Sequence, residues 1–168
     1  MGITTIRRLE PTDLEALTDI YRCPSVAENT SQLPYLDTGT INALFSGANQ
    51  YTLVAEVDNQ LLGHVTLFLS TKLREKHTAS LAIAVHPEAH GQGIGRRLME
   101  EALSQADHWL NLVRIELDVH EDNSGAIELY KKVGFEPEGT KRLATFKAGK
   151  YINLLLMSRI NLGSTDPT

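Results

Sequence analysis

The chain of 168 residues has a single cysteine, Cys23, which excludes an internal disulfide and a cysteine-rich metal site. It has no run of about 18 apolar residues, the length that a membrane-spanning helix needs. Acidic residues outnumber basic ones, 21 to 16, and the net charge of −5 argues against a general nucleic-acid-binding surface. The six histidines lack zinc-site spacing, so we predict no metal. These absences favour a cytoplasmic protein with no nucleic-acid or membrane partner.

The remaining composition is that of a globular domain, with 42% hydrophobic and 22% charged residues. This length fits one domain with a substantial core. We assign the domain to residues 1–162 and expect the short polar segment 163–168 to be a disordered tail.

Apolar periodicity predicts an alternating order of strands and helices. Strands are predicted at residues 3–7, 51–57, 60–69, 78–85, 113–119, 135–138 and 150–157. Helices are predicted after a capping box at 12–15, near 39–45, over 94–110, and from the N-cap Asn123 to Val133. The strand–helix–strand order over 78–119 requires two parallel strands, whereas the Asp58-Asn59 turn makes the earlier part antiparallel. We therefore predict an α/β domain whose mixed sheet is flanked by about four helices.

The stretch HPEAHGQGIGRR, His86 to Arg97, connects a buried strand to a helix through three alternating glycines. Such a turn presents unpaired backbone N–H groups and the positive end of a helix dipole, which together bind phosphate. Glycines at a helix start cost about 1 kcal/mol each relative to alanine, and close approach of a ligand to the backbone explains them better than a merely flexible connection. The spacing matches neither the dinucleotide-binding loop nor the Walker A loop.

Two segments together resemble one family. Residues 85–95, VHPEAHGQGIG, resemble motif A of the GNAT N-acetyltransferases, whose pattern Arg/Gln-x-x-Gly-x-Gly/Ala falls on His90–Gly95. Residues 123–135, NSGAIELYKKVGF, resemble motif B. Ile127, Gly139-Thr140 and the 29–34 region add a likeness to bacterial members that acylate the α-amine of free L-amino acids. The resemblance implies a single-domain GNAT fold, acetyl-CoA as donor and a small primary amine as acceptor, and homodimers are common in such proteins.

The resemblance also implies a coenzyme A site, residue by residue. The pantetheine arm would pair along the strand residues Ile83, Ala84 and Val85, and Asn123 and Ala126 would contact it. Tyr130 would stand near the thiol as general acid. The loop would hold the pyrophosphate through His90, Gly91, Gln92, Gly93, Ile94, Gly95 and Arg96. His90 replaces the Arg or Gln of the motif, which would make its side-chain contribution depend on pH.

The general base is not evident, because the strand 81–85 carries no carboxylate. Candidates are Glu56, His64, His77 and His120, acting directly or through water, of which we single out His77 and His120. Tyr130 can donate a proton or a hydrogen bond to a departing thiolate; the reference pKa values of phenol and thiol are about 10 and 8.5. An α-amine with a pKa near 8 is about one-tenth neutral at pH 7, whereas a lysine amine near 10.4 is not. An α-amine is therefore the easier acceptor.

Acceptor recognition is expected in two polar segments, 23–37 and 142–151, which we interpret as loops closing over the thioester. The candidate residues are Asn29, Gln32, Tyr35, Arg142 and Lys147. Arg142 or Lys147 would suit the carboxylate of an amino acid. A protein N-terminus, a polyamine or an antibiotic remain alternative acceptors. The replacement at His90 and the missing carboxylate leave open a coenzyme A-binding module without catalysis.

Overall fold

The computed structural model describes residues 2–163, so all of the predicted tail but its first residue lies outside the described part of the chain. Seven strands form one sheet in the order β1-β2-β3-β4-β5-β7-β6. The strands are β1 Thr4–Arg8, β2 Gln50–Val57, β3 Gln60–Leu69, β4 Thr78–Val85, β5 Arg114–His120, β6 Glu136–Lys147 and β7 Lys150–Ile160. The α-helices are α1 Leu14–Arg22, α2 Pro24–Glu28, α3 Thr38–Phe45, α4 Ile94–His108 and α5 Ser124–Lys132. The predicted mixed α/β domain is confirmed, because β4 and β5 are parallel and the neighbouring pairs are antiparallel.

The sheet separates two apolar clusters. Because strand side chains alternate between faces, Leu53 packs on the α4 side and Val54 on the α1 side. Helix α4 buries Leu98 and Met99 completely in the first cluster. Leu17 of α1 is equally buried in the second cluster. The sheet is thus covered on both faces, which fixes β4 and β5 in the interior of the fold.

The start of α1 differs from the prediction. A 3₁₀ turn, Pro11–Asp13, precedes it, and the Asp13 carboxylate accepts the Glu10 backbone N–H at 2.8 Å. Arg7 donates to both Asp13 carboxylate oxygens, at 2.7 and 2.9 Å. The capping box at 12–15 is therefore wrong: the carboxylate that closes the turn is the one paired with a strand arginine, a contact that local spacing does not reveal.

Strand β6 is also longer than predicted, so the expected loop over 142–151 is wrong. The strand continues to Lys147 and turns into β7 through Ala148 and Gly149. Most of its side chains are exposed, so neither face of the strand is buried. Without a buried face, the segment lacks the alternation by which strands are predicted.

We expect Asp107→Asn to lower the free energy of unfolding by about 1–3 kcal/mol, because Asp107 and Arg159 tie α4 to β7. The guanidinium donates to both carboxylate oxygens at 2.9 and 2.7 Å, and both side chains are mostly buried. The Arg159 hydrogen bonds lower the pKa of Asp107. The stabilisation is therefore present above the unfolded pKa of about 3.9 and is lost as the pH falls through the folded pKa.

Urea denaturation at pH 7 measures this effect, with Glu100→Gln as the control. Glu100 pairs with Arg96 on the exposed face of the same helix, where an ion pair contributes little. Equal stability of the two variants would contradict the prediction.

Candidate active site

The site arises where the parallel strands separate. β4 pairs with β5 only over Thr78–Ser80 and Arg114–Glu116, and beyond this point the two strands have no register partners in each other. The gap faces two cavities. The first, lined by the glycine loop, is called here the loop cavity, and the second, between the sheet and the 29–32 segment, is called the sheet cavity.

The gap exposes one backbone edge of β4. The His86 N–H donates to the Leu62 carbonyl of β3 at 2.7 Å. Since backbone direction alternates along an antiparallel ladder, Ala84 also pairs with β3, whereas Ile83 and Val85 direct their backbone groups toward the gap. An extended ligand in the gap can therefore pair with Ile83 and Val85 but meets only the remaining surface of Ala84.

The loop cavity has a volume of about 540 Å³ and contains nearly every residue that the resemblance assigned to coenzyme A. These residues are Ile83, Ala84, Val85, His90, Gly91, Gly93, Ile94, Gly95, Arg96, Asn123, Ala126 and Tyr130. Gln92 does not line it; its side-chain amide donates to the Glu88 carbonyl at 3.2 Å.

The glycine loop has the backbone conformation of an anion cradle. Gly91 and Gly93 have φ values of 78° and 77°, in the left-handed region that favours glycine. Within residues 2–163, the N–H groups of 91–96 donate to no protein acceptor, and the first helical bond joins the Arg97 N–H to the Gly93 carbonyl at 3.1 Å. Six N–H groups thus remain free at the positive end of α4.

His90 occupies the loop in an unexpected manner. Its Nε2 donates to the Val85 carbonyl at 2.9 Å, so the imidazole connects the loop to the end of β4. Neutral and protonated imidazole can both make this bond. The residue that departs from motif A therefore supports the loop through a backbone contact.

The sheet cavity has a volume of about 430 Å³. Aromatic rings of Tyr21, Phe45 and Phe68 form part of its wall, and its charged residues are Glu116, Asp118 and Lys141. It shares five residues with the loop cavity: Asn29, Thr30, Ile83, Asn123 and Tyr130. We call their meeting point the junction.

Helix α5 contributes two polar groups to the junction. Asn123 caps the helix, accepting the Ala126 N–H at 3.3 Å through Oδ1, which leaves its Nδ2 to donate elsewhere. The Tyr130 hydroxyl has no hydrogen-bond partner among the described residues, although only 8% of the residue is exposed. Burial raises the pKa of Tyr130 to about 12, so the phenol stays protonated near neutral pH. It can therefore donate a hydrogen bond or a proton.

The histidine candidates do not meet at the junction. The Lys147 ammonium donates to Nδ1 of His120 at 3.2 Å. Burial first, and then the Lys147 charge, lower the pKa of His120, whereas the Asp122 charge and a hydrogen bond to the Thr30 backbone oppose this decrease. The His120 ring is therefore neutral, but its Nδ1 already accepts a hydrogen bond from Lys147. His77 lies before β4, where its carbonyl accepts the Val113 and Arg114 N–H groups, at the end of the strand remote from the loop.

The remaining base candidates are engaged in the fold. Glu56 accepts Arg7 Nε at 3.1 Å. His64 is completely buried, with both ring nitrogens hydrogen-bonded to Tyr21 and Thr66. No side chain at the junction is placed as a strong base. No group of three His, Cys, Asp or Glu residues in the described chain could hold a metal.

The acceptor candidates are scattered. Asn29 lines both cavities and Gln32 lines the sheet cavity, but Tyr35 is 97% exposed on a separate groove. Arg142 lies in a surface depression on β6, whereas its neighbour Lys141 reaches the sheet cavity and pairs with Asp118 at 3.0 Å. Of the two, only Lys141 lines the sheet cavity, and sequence reasoning did not single it out. It also did not single out Tyr21, which only the packing of α1 on the sheet brings to the cavity.

Three features are typical of an acetyltransferase: two parallel strands that separate, a glycine loop with free N–H groups beside them, and a second cavity that meets the first at a buried tyrosine. The sequence pattern of the acetyltransferase (GNAT) family matches residues 14–135, and the chain belongs to this family of N-acetyltransferases. It is 35% identical to the L-amino acid N-acetyltransferase AaaT of Escherichia coli, over 95% of this chain and 99% of that protein.

Solved structures agree with this assignment. A GNAT-family acetyltransferase from Streptococcus pneumoniae superimposes with a TM-score of 0.83 at 28% identity, over 95% of this chain and all of that one. Spermidine N-acetyltransferase from Vibrio cholerae, in complex with CoA and spermine, gives 0.83 at 26% identity over 94% and 95%. Within residues 2–163, no helix is long and apolar enough to cross a membrane.

Proposed function

We propose that this N-acetyltransferase uses acetyl-CoA as donor and acetylates the primary amine of a small molecule by direct attack on the thioester. The observation that carries the proposal is the junction. There, Asn123 and Tyr130 of one helix face both a cavity built for a phosphate-bearing ligand and a separate cavity for a second substrate. Bound acetyl-CoA would supply the activated acetyl group.

The residues present fit the donor. The six free N–H groups of 91–96 can hold a pyrophosphate, and the edge of β4 offers Ile83 and Val85 to the amides of a pantetheine arm. The Val85 carbonyl is already shared with His90, so the remaining groups are the Val85 N–H and both backbone groups of Ile83. Asn123 Nδ2 can donate to a carbonyl of the arm. A donor held by these residues would have its thioester on the side of Tyr130.

The acetyl transfer requires few further groups of the protein. The amine nitrogen bonds to the acetyl carbon and the carbon–sulfur bond breaks. Tyr130 donates a proton to the leaving sulfur and then regains one from the solvent. A backbone N–H on the free edge of β4 can stabilise the oxyanion. The nitrogen must also lose a proton. Because His77 lies remote from the junction and His120 is engaged by Lys147, we assign that proton to water.

The finer proposal is that the acceptor is the α-amine of a free L-amino acid. It is supported by the likeness to AaaT and by the lack of a placed base, which favours an amine with a low pKa. Lys141 is the cation of the sheet cavity, and we assign it the amino acid carboxylate. A polyamine is the second candidate, because the carboxylates of Glu116 and Asp118 line the same cavity.

A panel of amines tests these acceptors through thiol release from acetyl-CoA. We expect turnover of L-amino acids, with kcat/KM rising with pH as the α-amine loses its proton; in a free amino acid the adjacent carboxylate raises this pKa above the peptide value of about 8. Faster turnover of spermidine would favour the polyamine. Binding of acetyl-CoA without turnover of any amine would indicate a binding module. Lys141→Met, which keeps the stem of the side chain, should raise the KM of an amino acid more than that of its decarboxylated analogue.

A further inference from the structure

A buried hydrogen-bonded chain runs from the sheet cavity across the sheet. The Tyr21 hydroxyl lies 2.6 Å from Nε2 of His64, whose Nδ1 lies 3.0 Å from Oγ1 of Thr66. The Thr66 hydroxyl lies 2.8 Å from that of Thr52, which lies 2.7 Å from the Phe45 carbonyl. The three polar residues beyond Tyr21 are exposed by at most 2%, so water does not interrupt the chain.

The direction of this chain follows from counting hydrogens. The Phe45 carbonyl only accepts, so Thr52 spends its one hydrogen there, and Thr66 must donate to Thr52. The Thr66 oxygen then accepts from the Nδ1–H of His64. Burial lowers the pKa of His64 to about 3, so the ring is neutral and its Nε2 carries a lone pair. Tyr21 must therefore donate to His64, and its oxygen can only accept any further hydrogen bond.

Tyr21 lines the sheet cavity, which the proposed reaction assigns to the acceptor amine. Its partner His64 is the cross-strand neighbour of Ala84 on β4. Tyr130 lines the same cavity, and burial raises the pKa of Tyr21. The Phe45 ring stacks on Tyr21 with centroids 5.4 Å apart. The Tyr21 hydroxyl is thus a polar group among the aromatic rings that line the sheet cavity.

We propose that the Tyr21 oxygen accepts an N–H of the acceptor amine and orients its nitrogen toward the thioester, and that His64 positions Tyr21 for this role. The inference rests on the proposed function and deepens it. The two phenols act with opposite polarity: Tyr130 donates to the leaving sulfur, and Tyr21 accepts from the incoming amine. His64 acts only through Tyr21.

Tyr21→Phe tests the role of the hydroxyl, because the aromatic ring is retained. We expect kcat/KM for the amine to fall about tenfold, with the CoA dissociation constant unchanged within about twofold. Tyr51→Phe is the matched control, since the Tyr51 hydroxyl bonds to Gln105 at 3.0 Å and lines neither cavity. The control should leave both quantities unchanged. An unchanged kcat/KM in folded Tyr21→Phe overturns the inference.

The unmodified protein provides an independent measurement, useful if Tyr21→Phe fails to fold. Nitrogen-15 NMR of His64 should show the neutral tautomer protonated at Nδ1, and a saturating amine added with CoA should shift the Nε2 resonance. A proton on Nε2, or no shift with the amine, overturns the inference. If the unmodified protein turns over no amine yet binds acetyl-CoA, the proposed function fails as well, which distinguishes the two failures.

Discussion

Tyr130→Phe is expected to lower kcat about a hundredfold, with the CoA dissociation constant unchanged within about twofold. The phenol lies at the junction, and its hydroxyl has no protein partner in the described chain, so the substitution removes only a group that faces substrate. The ring contact with Phe135, at 6.0 Å between centroids, is kept. Stability should therefore change little, and steady-state kinetics together with CoA titration measure the effect.

The pH dependence of kcat checks the same assignment. Because burial raises the pKa of Tyr130 to about 12, the phenol should remain a proton donor throughout the alkaline range in which the enzyme is stable. A descending limb below pH 10 that disappears in Tyr130→Phe would show a phenol of lower pKa than the structure indicates. A kcat within twofold of the unmodified enzyme would exclude Tyr130 as the general acid.

The lining of the loop cavity could be predicted from sequence because its backbone conformations leave a local signature. Glycines at 91 and 93 mark left-handed conformations, and Asn123 marks a helix start. Both signals lie within a few residues of the groups they position. The bounds of β3 and β4 agree with the prediction for the same reason, since each carries its own apolar pattern.

The lining of the sheet cavity could not be predicted because distant segments assemble it. Tyr21 comes from α1, and Lys141 comes from β6, close to a register shift between Lys141 and Thr145. Lys141 pairs with Leu154 between two register shifts of β6, and neither Lys141 nor Arg142 signals these shifts in the sequence. His120 has the sequence context of a free base, yet Lys147, 27 residues away, engages its ring. Long-range contacts of this kind have no local pattern.

Gly93→Ala is expected to raise the CoA dissociation constant and the KM of acetyl-CoA at least tenfold. Its φ of 77° disfavours any residue with a Cβ by about 1–2 kcal/mol, and relief of that strain would turn the N–H groups of 91–96 away from one another. Hydrogen bonds to a charged group contribute about 1.5–3 kcal/mol each, so misalignment of one or two accounts for the loss. At saturating acetyl-CoA, kcat should fall far less, because the loop holds the end of the donor remote from the thioester.

Gly149→Ala separates this effect from backbone strain. Gly149 has a φ of 80°, and a Cβ at either glycine would meet no atom within 4 Å, so both substitutions strain the backbone alike in open space. Gly149 lies in the β6–β7 turn and does not line the loop cavity. Both variants should lose similar stability, but only Gly93→Ala should weaken CoA binding in titration calorimetry. Equal CoA affinity in the two variants would mean that the free N–H groups of the glycine loop do not hold the donor.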